Sequence, residues 1–544
     1  MKKAKQIKQN RRFCQTMVGL AEQQFPSQLS KVLAYHQRSK HSVHHYAPGP
    51  ASIDWEAQPS PYRNYPGCKL MALPFQQPSI PYSRLFDNSL PTTVVTLTAI
   101  AQLLEYGLSL SAKKVFGKDS WTVRCNPSSG NLHPTEAYLI CGELDQLSPG
   151  VYHYQSQHHQ LAQRATFSTT PLSPGECYIA LSSVHWREAW KYGERAYRYC
   201  QLDVGHAIAA LRYSAALLGW QLTIEEQLSD QQIAALCGID RLDEYHGVEA
   251  ESPDLLLRIG HSPLLTKQVI SEIKKSAQWF GMPSLLDAHP FYEWQIIDQL
   301  TTACKKPETA PPRPAQARTT RHTITEKDAA ILIKQRRSAL AFQPDKTMSK
   351  GALLGILKAL LPELRHLPFD LLTENPRLHP VLFIHRVDDL EPGLYTLPRN
   401  ESAKQAMQST MDKRFVWQQI DDQLPLYLLE RGDAQSIAKR ISCHQAIAAE
   451  SAFSLGMLAE FGATLQHDGD AWRYRQLYWE AGIIGQTLYL EAEAHGYRGT
   501  GIGCFLDDLF HQLLGLQGQQ FQSLYHFTVG TPVVDERIST LSPY

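Results

Sequence analysis

Apolar residues recur at steps of three and four in LTAIAQLLEYGLSL (residues 97–110) and HAIAALRYSAALLGW (206–220), and again in KGALLGILKALLP (350–362) and IIGQTLYLEAEAHGY (483–497). This is the helical period, and each stretch predicts a helix. Between them lie short unbroken apolar runs, AYLICG (137–142) and VLFIH (381–385), which read as strands. Each run opens on Leu-His-Pro (Leu132-His133-Pro134 and Leu378-His379-Pro380). Each is followed by a Pro-Gly turn into a second strand, Pro149-Gly150-Val151-Tyr152 and Pro392-Gly393-Leu394-Tyr395. The order of elements therefore repeats.

The repeat extends to the later helices. Tyr197-Arg198 precedes Asp203-Val204-Gly205 in the first half, and Tyr474-Arg475 precedes Glu480-Ala481-Gly482 in the second. Helices mixed with hairpin-like strands predict an α+β domain occurring twice, with a site at the pseudo-twofold interface. The stretch KKPETAPPRPAQARTTR (305–321) is rich in Pro and charge and nearly free of large apolar residues, which reads as a linker. The expected organisation is an extension over residues 1–80, a first domain over 81–302, a linker over 303–323 and a second domain over 324–544.

Composition sharpens this. A chain of 544 residues exceeds one core, and 43% hydrophobic against 19% charged residues suits ordinary globular domains. Lys plus Arg equals Asp plus Glu at 53 each, which speaks against a nucleic-acid partner. No apolar run has the length of a membrane span or follows the basic N-terminus as a signal peptide does. The ten cysteines form no CxxC pair and no zinc-spaced cluster, so no metal is expected, and free thiols in a cytoplasmic protein are. His41, His44 and His45 lie close together without an acidic partner and read as a surface turn.

Candidate chemistry is split between the halves. In the first, Pro127-Ser128-Ser129-Gly130-Asn131 forms a small, polar loop just before a strand, where backbone can approach a flat ligand. In the second, Arg336-Arg337-Ser338 offers two guanidinium forks and a hydroxyl, the groups that bind a phosphate monoester. Gly499-Thr500-Gly501-Ile502-Gly503 exposes backbone N–H donors, and Arg537 follows a strand-like YHFTVG. Each motif alone also reads as a turn, a solvated helix end or a cap.

Together, PSSGNLHPTEAYL, RRS, and GxGxF with its downstream Gly530 and Arg537 resemble the nitroreductase superfamily, in particular its tandem-domain SagB/ThcOx-type dehydrogenase branch. The N-terminal Tyr35-His36, Lys40-His41 and Asp54-Trp55 fit the leading segment of that branch. The resemblance implies two fused FMN-dependent domains forming an intrachain pseudo-dimer, monomeric or weakly self-associating. It implies phosphate contacts from Arg336, Arg337, Ser338 and Arg537. Ring contacts would come from Pro127, Ser128, Ser129, Asn131, Gly501 and Gly503. It further implies oxidation of an azoline-like ring in a peptide or natural product, with Lys191-Tyr192 as the catalytic pair and a partner biosynthetic enzyme. Alternatives are an NAD(P)H-dependent nitro or quinone reductase, and a non-catalytic flavin-binding subunit docking through residues 1–80. Departures from the pattern are complementary. The second half has Asn375-Pro376-Arg377 in place of PSSGN, the first half has QLTIEEQL in place of GxGxF, and Asp468-Gly469 fall where Lys-Tyr would. Leu340 stands where a basic residue is common. One working composite FMN site and one degenerate site are expected.

Overall fold

The computed structural model describes residues 27–86, 90–169, 171–287, 294–310, 325–362 and 366–544. Each half builds an antiparallel sheet with the same core order. In the first it runs Gln160–Phe167, Gly150–Gln155, Thr135–Cys141, Cys177–Ser183, Ser252–Ile259, Leu222–Ile224. In the second it runs Tyr427–Arg431, Gly393–Thr396, Leu378–Ile384, Phe453–Ala459, Gln522–Gly530, Arg498–Ile502. The central strands are buried along their whole length, which is why they read as unbroken apolar runs and not as alternation. The fold is α+β, with each sheet covered by helices.

The helices that precede the sheets start alike. The Thr96 hydroxyl accepts from Ala99 N at the head of Leu97–Leu108, and Ser349 from Ala352 N at the head of Lys350–Lys358, at 3.2 Å in both. The two long central helices, Ala196–Ala216 and Arg473–Ala494, pack on each other along the pseudo-twofold axis. They cross at the repeated glycines. A Cβ on Gly205 would lie 2.3 Å from the Trp479 carbonyl oxygen, and one on Gly482 would lie 2.3 Å from that of Leu202. Only glycine allows this approach, so the Asp-Val-Gly and Glu-Ala-Gly repeat marks the crossing point.

Three boundaries differ from the sequence reading. Lys69–Ala72 adds an edge strand to the first sheet, so the extension is not separate from the domain that follows. Its helix Gln28–Arg38 is seated against both halves, with Arg198 donating to the His36 carbonyl at 2.7 Å and His36 meeting Gln522 at 3.1 Å. The start of the expected linker is packed. Asp230 N donates to the Lys306 carbonyl at 3.1 Å, and Lys306 Nζ donates to that of Leu228 at 2.9 Å. A buried ammonium with backbone acceptors gives that polar stretch a place to dock, and its remainder, 311–323, lies outside the described residues. Finally, Ser539–Leu541 crosses to the first half and pairs with Leu110–Phe116, itself paired with Asp119–Arg124.

Candidate active site between the halves

A cavity of about 270 Å³ lies between the halves, walled by Pro127, Ser128, Ser129 and Gly130 from the first and by Ser338, Tyr489, Gly501, Gly503 and Tyr525 from the second. The loop that forms one wall is tied to the first central helix. Ser129 N and Oγ each donate to Asp203 Oδ1 at 3.1 Å, and His133 N donates to Ser128 Oγ at 2.8 Å. Gly130, Asn131 and His133 all take positive φ, which folds the loop tightly.

Lys191 and Tyr192 end the helix His185–Tyr192 and abut this loop. A Cβ on Gly130 would lie 2.6 Å from the Tyr192 hydroxyl and 3.3 Å from Lys191 Nζ. Tyr192 is itself part of the cavity wall, and Lys191 Nζ lies 5.3 Å from its ring centroid and 5.8 Å from that of Trp55. Burial, then the nearby Glu188 carboxylate, pushes the Tyr192 phenol well above its ordinary value. Two buried carboxyls lie beneath. Glu188 is raised by burial and then by Asp203, and its Oε2 has no hydrogen-bond partner. Burial lifts Asp203 to about 7, opposed by hydrogen bonds from Ser128 and Ser129.

On the opposite wall, Ser338 Oγ and the Tyr489 hydroxyl are 2.8 Å apart, and Gly501 N donates to that hydroxyl at 3.0 Å. Gly503 sits so close to Tyr199 that a Cβ would lie 2.3 Å from its ring. His206 meets the Tyr525 hydroxyl at 3.1 Å, and burial holds its imidazole down at about 3, hence neutral.

Four expected binding residues are not in this wall. Asn131 turns away, its Nδ2 donating to the Thr122 carbonyl at 2.8 Å and its Oδ1 meeting His133 at 2.9 Å, because its left-handed backbone reverses the chain after Gly130. Arg336 is buried with Nη2 on the Arg124 carbonyl at 3.0 Å, and Arg337 holds the Ser111 carbonyl at 3.0 Å. Each nevertheless keeps a buried Nε without a partner, a free donor of the kind a phosphate uses. Arg537 is exposed and paired with Asp535 at 2.7 Å. Sequence reasoning missed Glu188, Tyr199, His206, Tyr489 and Tyr525 as site residues. All but Glu188 sit in central elements buried on every side, where no polar stripe marks the one that faces a ligand.

A second cavity occupies the pseudo-equivalent place but is only about 60 Å³, lined by Asn375 and Arg377 of the second half and Ile208 and Ile224 of the first. Glu480 takes the position of Asp203 and accepts from Arg377 N at 2.9 Å. The fully buried Arg399 then closes on Glu480 while also donating to the Leu360 carbonyl at 2.7 Å. By this contact Arg377 matches Ser129, and the second-half loop lacks the turn that Gly130 and Asn131 add.

Among the described residues, no His/Cys/Asp/Glu cluster could hold a metal, and no helix is long and apolar enough to cross a membrane. The Nitroreductase family model matches residues 333–531. A solved structure from Anabaena variabilis, assigned as a nitroreductase, covers 94% of this chain and 100% of its own at 19% identity, with a TM-score of 0.66. The chain is also 29% identical over 150 residues to the trifolitoxin-processing protein TfxB of Rhizobium leguminosarum bv. trifolii, a match covering 24% of this chain and 39% of that one. It thus spans about two fifths of the length of this curated relative. The second half, over residues 333–531, thus carries a Nitroreductase family domain, and the chain as a whole shares the nitroreductase fold.

Proposed function

We propose that the chain is an FMN-dependent oxidoreductase of the SagB/ThcOx type, dehydrogenating an azoline-like heterocycle in a peptide or natural product, as part of a pathway with a partner biosynthetic enzyme. The observation that carries this reading is the contact of Lys191 and Tyr192 with Gly130, in the loop that walls the larger cavity. A peptide substrate draws support from the trifolitoxin-processing role that names one relative.

FMN fits the residues present: the cavity has backbone donors and small side chains on its walls, and the Arg336 and Arg337 Nε donors beside Ser338 suit its phosphate. When bound, it supplies a hydride acceptor. Pro127, Ser128 and Ser129 would contact its ring from one half, and Gly501 and Gly503 from the other. Desaturation removes a hydride from one ring atom and a proton from its neighbour, so a base must stand beside the substrate. Lys191, as the free amine, takes that proton, with Tyr192 as the relay. A phenol held protonated at neutral pH receives the substrate proton at its oxygen and hands its own to Lys191 Nζ. The Glu188 and Asp203 pair beneath fixes the loop and keeps its charge away from the ring by holding a proton.

The test is turnover of a thiazoline-containing peptide by the FMN-loaded protein, followed by flavin absorbance and product mass. Lys191→Ala and Tyr192→Phe should each lower kcat by about 10²–10⁴-fold while FMN stays bound at one per chain. Unchanged desaturation in both variants would sink the assignment. Rapid bleaching by NADPH, with Lys191 dispensable, would favour a nitro or quinone reductase.

A further inference from the structure

Two cysteines meet at the wall of the same cavity, brought together from distant parts of the chain. Cys504 is part of that wall, one residue beyond Gly503. The segment carrying it runs beside the turn carrying Cys443: Leu506 N donates to the Ile441 carbonyl at 2.7 Å, and Gln445 Nε2 donates to that of Cys504 at 3.1 Å. The two thiols are in hydrogen-bonding contact. Cys443 and His444 both take left-handed backbone, φ 52° and 62°, a conformation costly for residues with a side chain. This turn carries Cys443 beside Cys504.

A third group completes the cluster. His41 is held by exchange with the same segment, its N–H donating to Asp507 Oδ2 at 3.0 Å and its carbonyl accepting from Asp507 N at 3.1 Å. Ala47 N donates to His41 Nδ1 at 2.9 Å, so the ring proton lies on Nε2, free to donate to the Cys504 sulfur it contacts. Arg195 adds a cation nearby through its bond to the Gly503 carbonyl at 3.1 Å. Cys504 thus receives donors on two sides, from Cys443 and His41. The first of these lowers the Cys504 thiol most, against burial, while Cys504 pushes the Cys443 thiol up. Among the described residues these two and Cys68 are the half-buried cysteines, and the other six are buried.

We propose that Cys443 and Cys504 are a redox-active dithiol at the wall of the cofactor cavity, taking the two electrons that substrate oxidation leaves on the flavin and passing them to a disulfide oxidant. The flavin half of this proposal rests on the FMN reading above. In the disulfide form, the S–S bond accepts two electrons and one proton and opens to the Cys504 thiolate and the Cys443 thiol. One of the freed sulfurs then attacks an external disulfide, expelling one thiolate. The other attacks the mixed disulfide, expelling the second thiolate and closing the Cys443–Cys504 bond again. The oxidant leaves as two thiols, and the couple returns to its starting state.

The test compares the FMN-loaded wild type with the Cys443→Ser/Cys504→Ser double variant. Both are treated with oxidised glutathione, freed of it, and titrated anaerobically with dithionite while flavin absorbance is followed. The wild type should consume twice as many electrons per flavin as the variant, and peptide mass mapping should find a Cys443–Cys504 disulfide in the wild type alone. Equal electron uptake by the two proteins overturns the proposal, as does a disulfide mapping only to another pair such as Cys141–Cys177. The mapping also decides the case on the flavin-free wild type. A Cys443–Cys504 bond in a chain that binds no FMN would refute the flavin reading and its electron transfer, yet leave the thiol–disulfide couple standing.

Discussion

Replacing Asp203 by asparagine isolates the buried carboxyl beneath the cavity. Asp203 is 2% exposed, and its Oδ1 accepts from Ser129 N and Ser129 Oγ. Burial raises its pKa to about 7 in the fold, although hydrogen bonds from Ser128 and Ser129 pull the other way. In an unfolded chain an aspartate titrates near 3.9. The folded state therefore binds this proton more tightly. The stability it contributes is whole below about pH 4 and is lost as pH rises to about 7, above which the carboxylate stays buried at full cost. A gap of about three units at about 1.4 kcal/mol each makes the loss about 4 kcal/mol. That is a large share of the roughly 5–15 kcal/mol that hold a folded domain together.

An asparagine at this position cannot titrate, keeps an Oδ1 for the Ser129 N–H and can turn its amide donor toward Glu188. Urea unfolding of the flavin-free wild type and Asp203→Asn at intervals from pH 4 to pH 8 should therefore give curves that diverge. The wild type should lose about 4 kcal/mol more across that range than the variant. Other titrating groups shift both proteins alike and cancel in the difference, apart from the neighbouring Glu188, whose release from repulsion by Asp203 adds in the same direction. Parallel curves would mean that Asp203 is ionised and fully compensated in the fold, and that it holds no proton under the cavity.

Three further outcomes follow from the packing. Gly503→Ala would set a Cβ 2.3 Å from the Tyr199 ring and drive that ring into the cavity; an overpacking cost of about 1–3 kcal/mol predicts FMN affinity about 10–100-fold weaker, read by flavin fluorescence on titration. Arg399→Ala leaves Glu480 buried without its guanidinium and should cost about 3–5 kcal/mol in unfolding free energy, with FMN still at one per chain. Gly482→Ala forces the central helices apart at their crossing and should destabilise by about 1–3 kcal/mol or more in thermal unfolding, whereas Gly469→Ala, with nothing within 4 Å of the new Cβ, should leave the midpoint where it was.

The repeat was legible because both halves keep the parts that geometry constrains most. Leu-His-Pro opens each buried central strand, a Pro-Gly turn follows, and glycine marks the crossing where the two central helices touch backbone to backbone. The central helices were less legible in extent. Ala196–Ala216 begins ten residues before the amphipathic stretch that announced it, because every residue of that helix is buried and its polar ones are paired inside the fold, as Arg198 is with Asp507 of the other half at 2.8 Å. An all-round buried helix has no polar face to read. The same burial hid Tyr489 and His206. Arg537 misled because an Arg after a strand looks the same whether it meets a ligand or its own neighbour Asp535.

The two cavities explain why the motifs are divided as they are. Under the pseudo-twofold, each cavity is walled by the loop of one half and the edge strand of the other. The first-half loop and the second-half glycine strand therefore face the same cavity, the one of about 270 Å³. The second-half loop, reduced to Asn375-Pro376-Arg377, and the first-half strand Leu222–Ile224 face the other. Each half kept one element and changed the other, and the two changed elements meet. Ile224 brings a side chain where the larger cavity has glycine, and Arg399 seals the carboxylate of Glu480 in the position where Asp203 instead holds an open loop. A homodimer could not do this, since a change in its loop or strand would appear in both cavities at once. Fusion of two copies in one chain allows one cavity to be filled for stability while the other keeps its loop, its glycines and its buried proton.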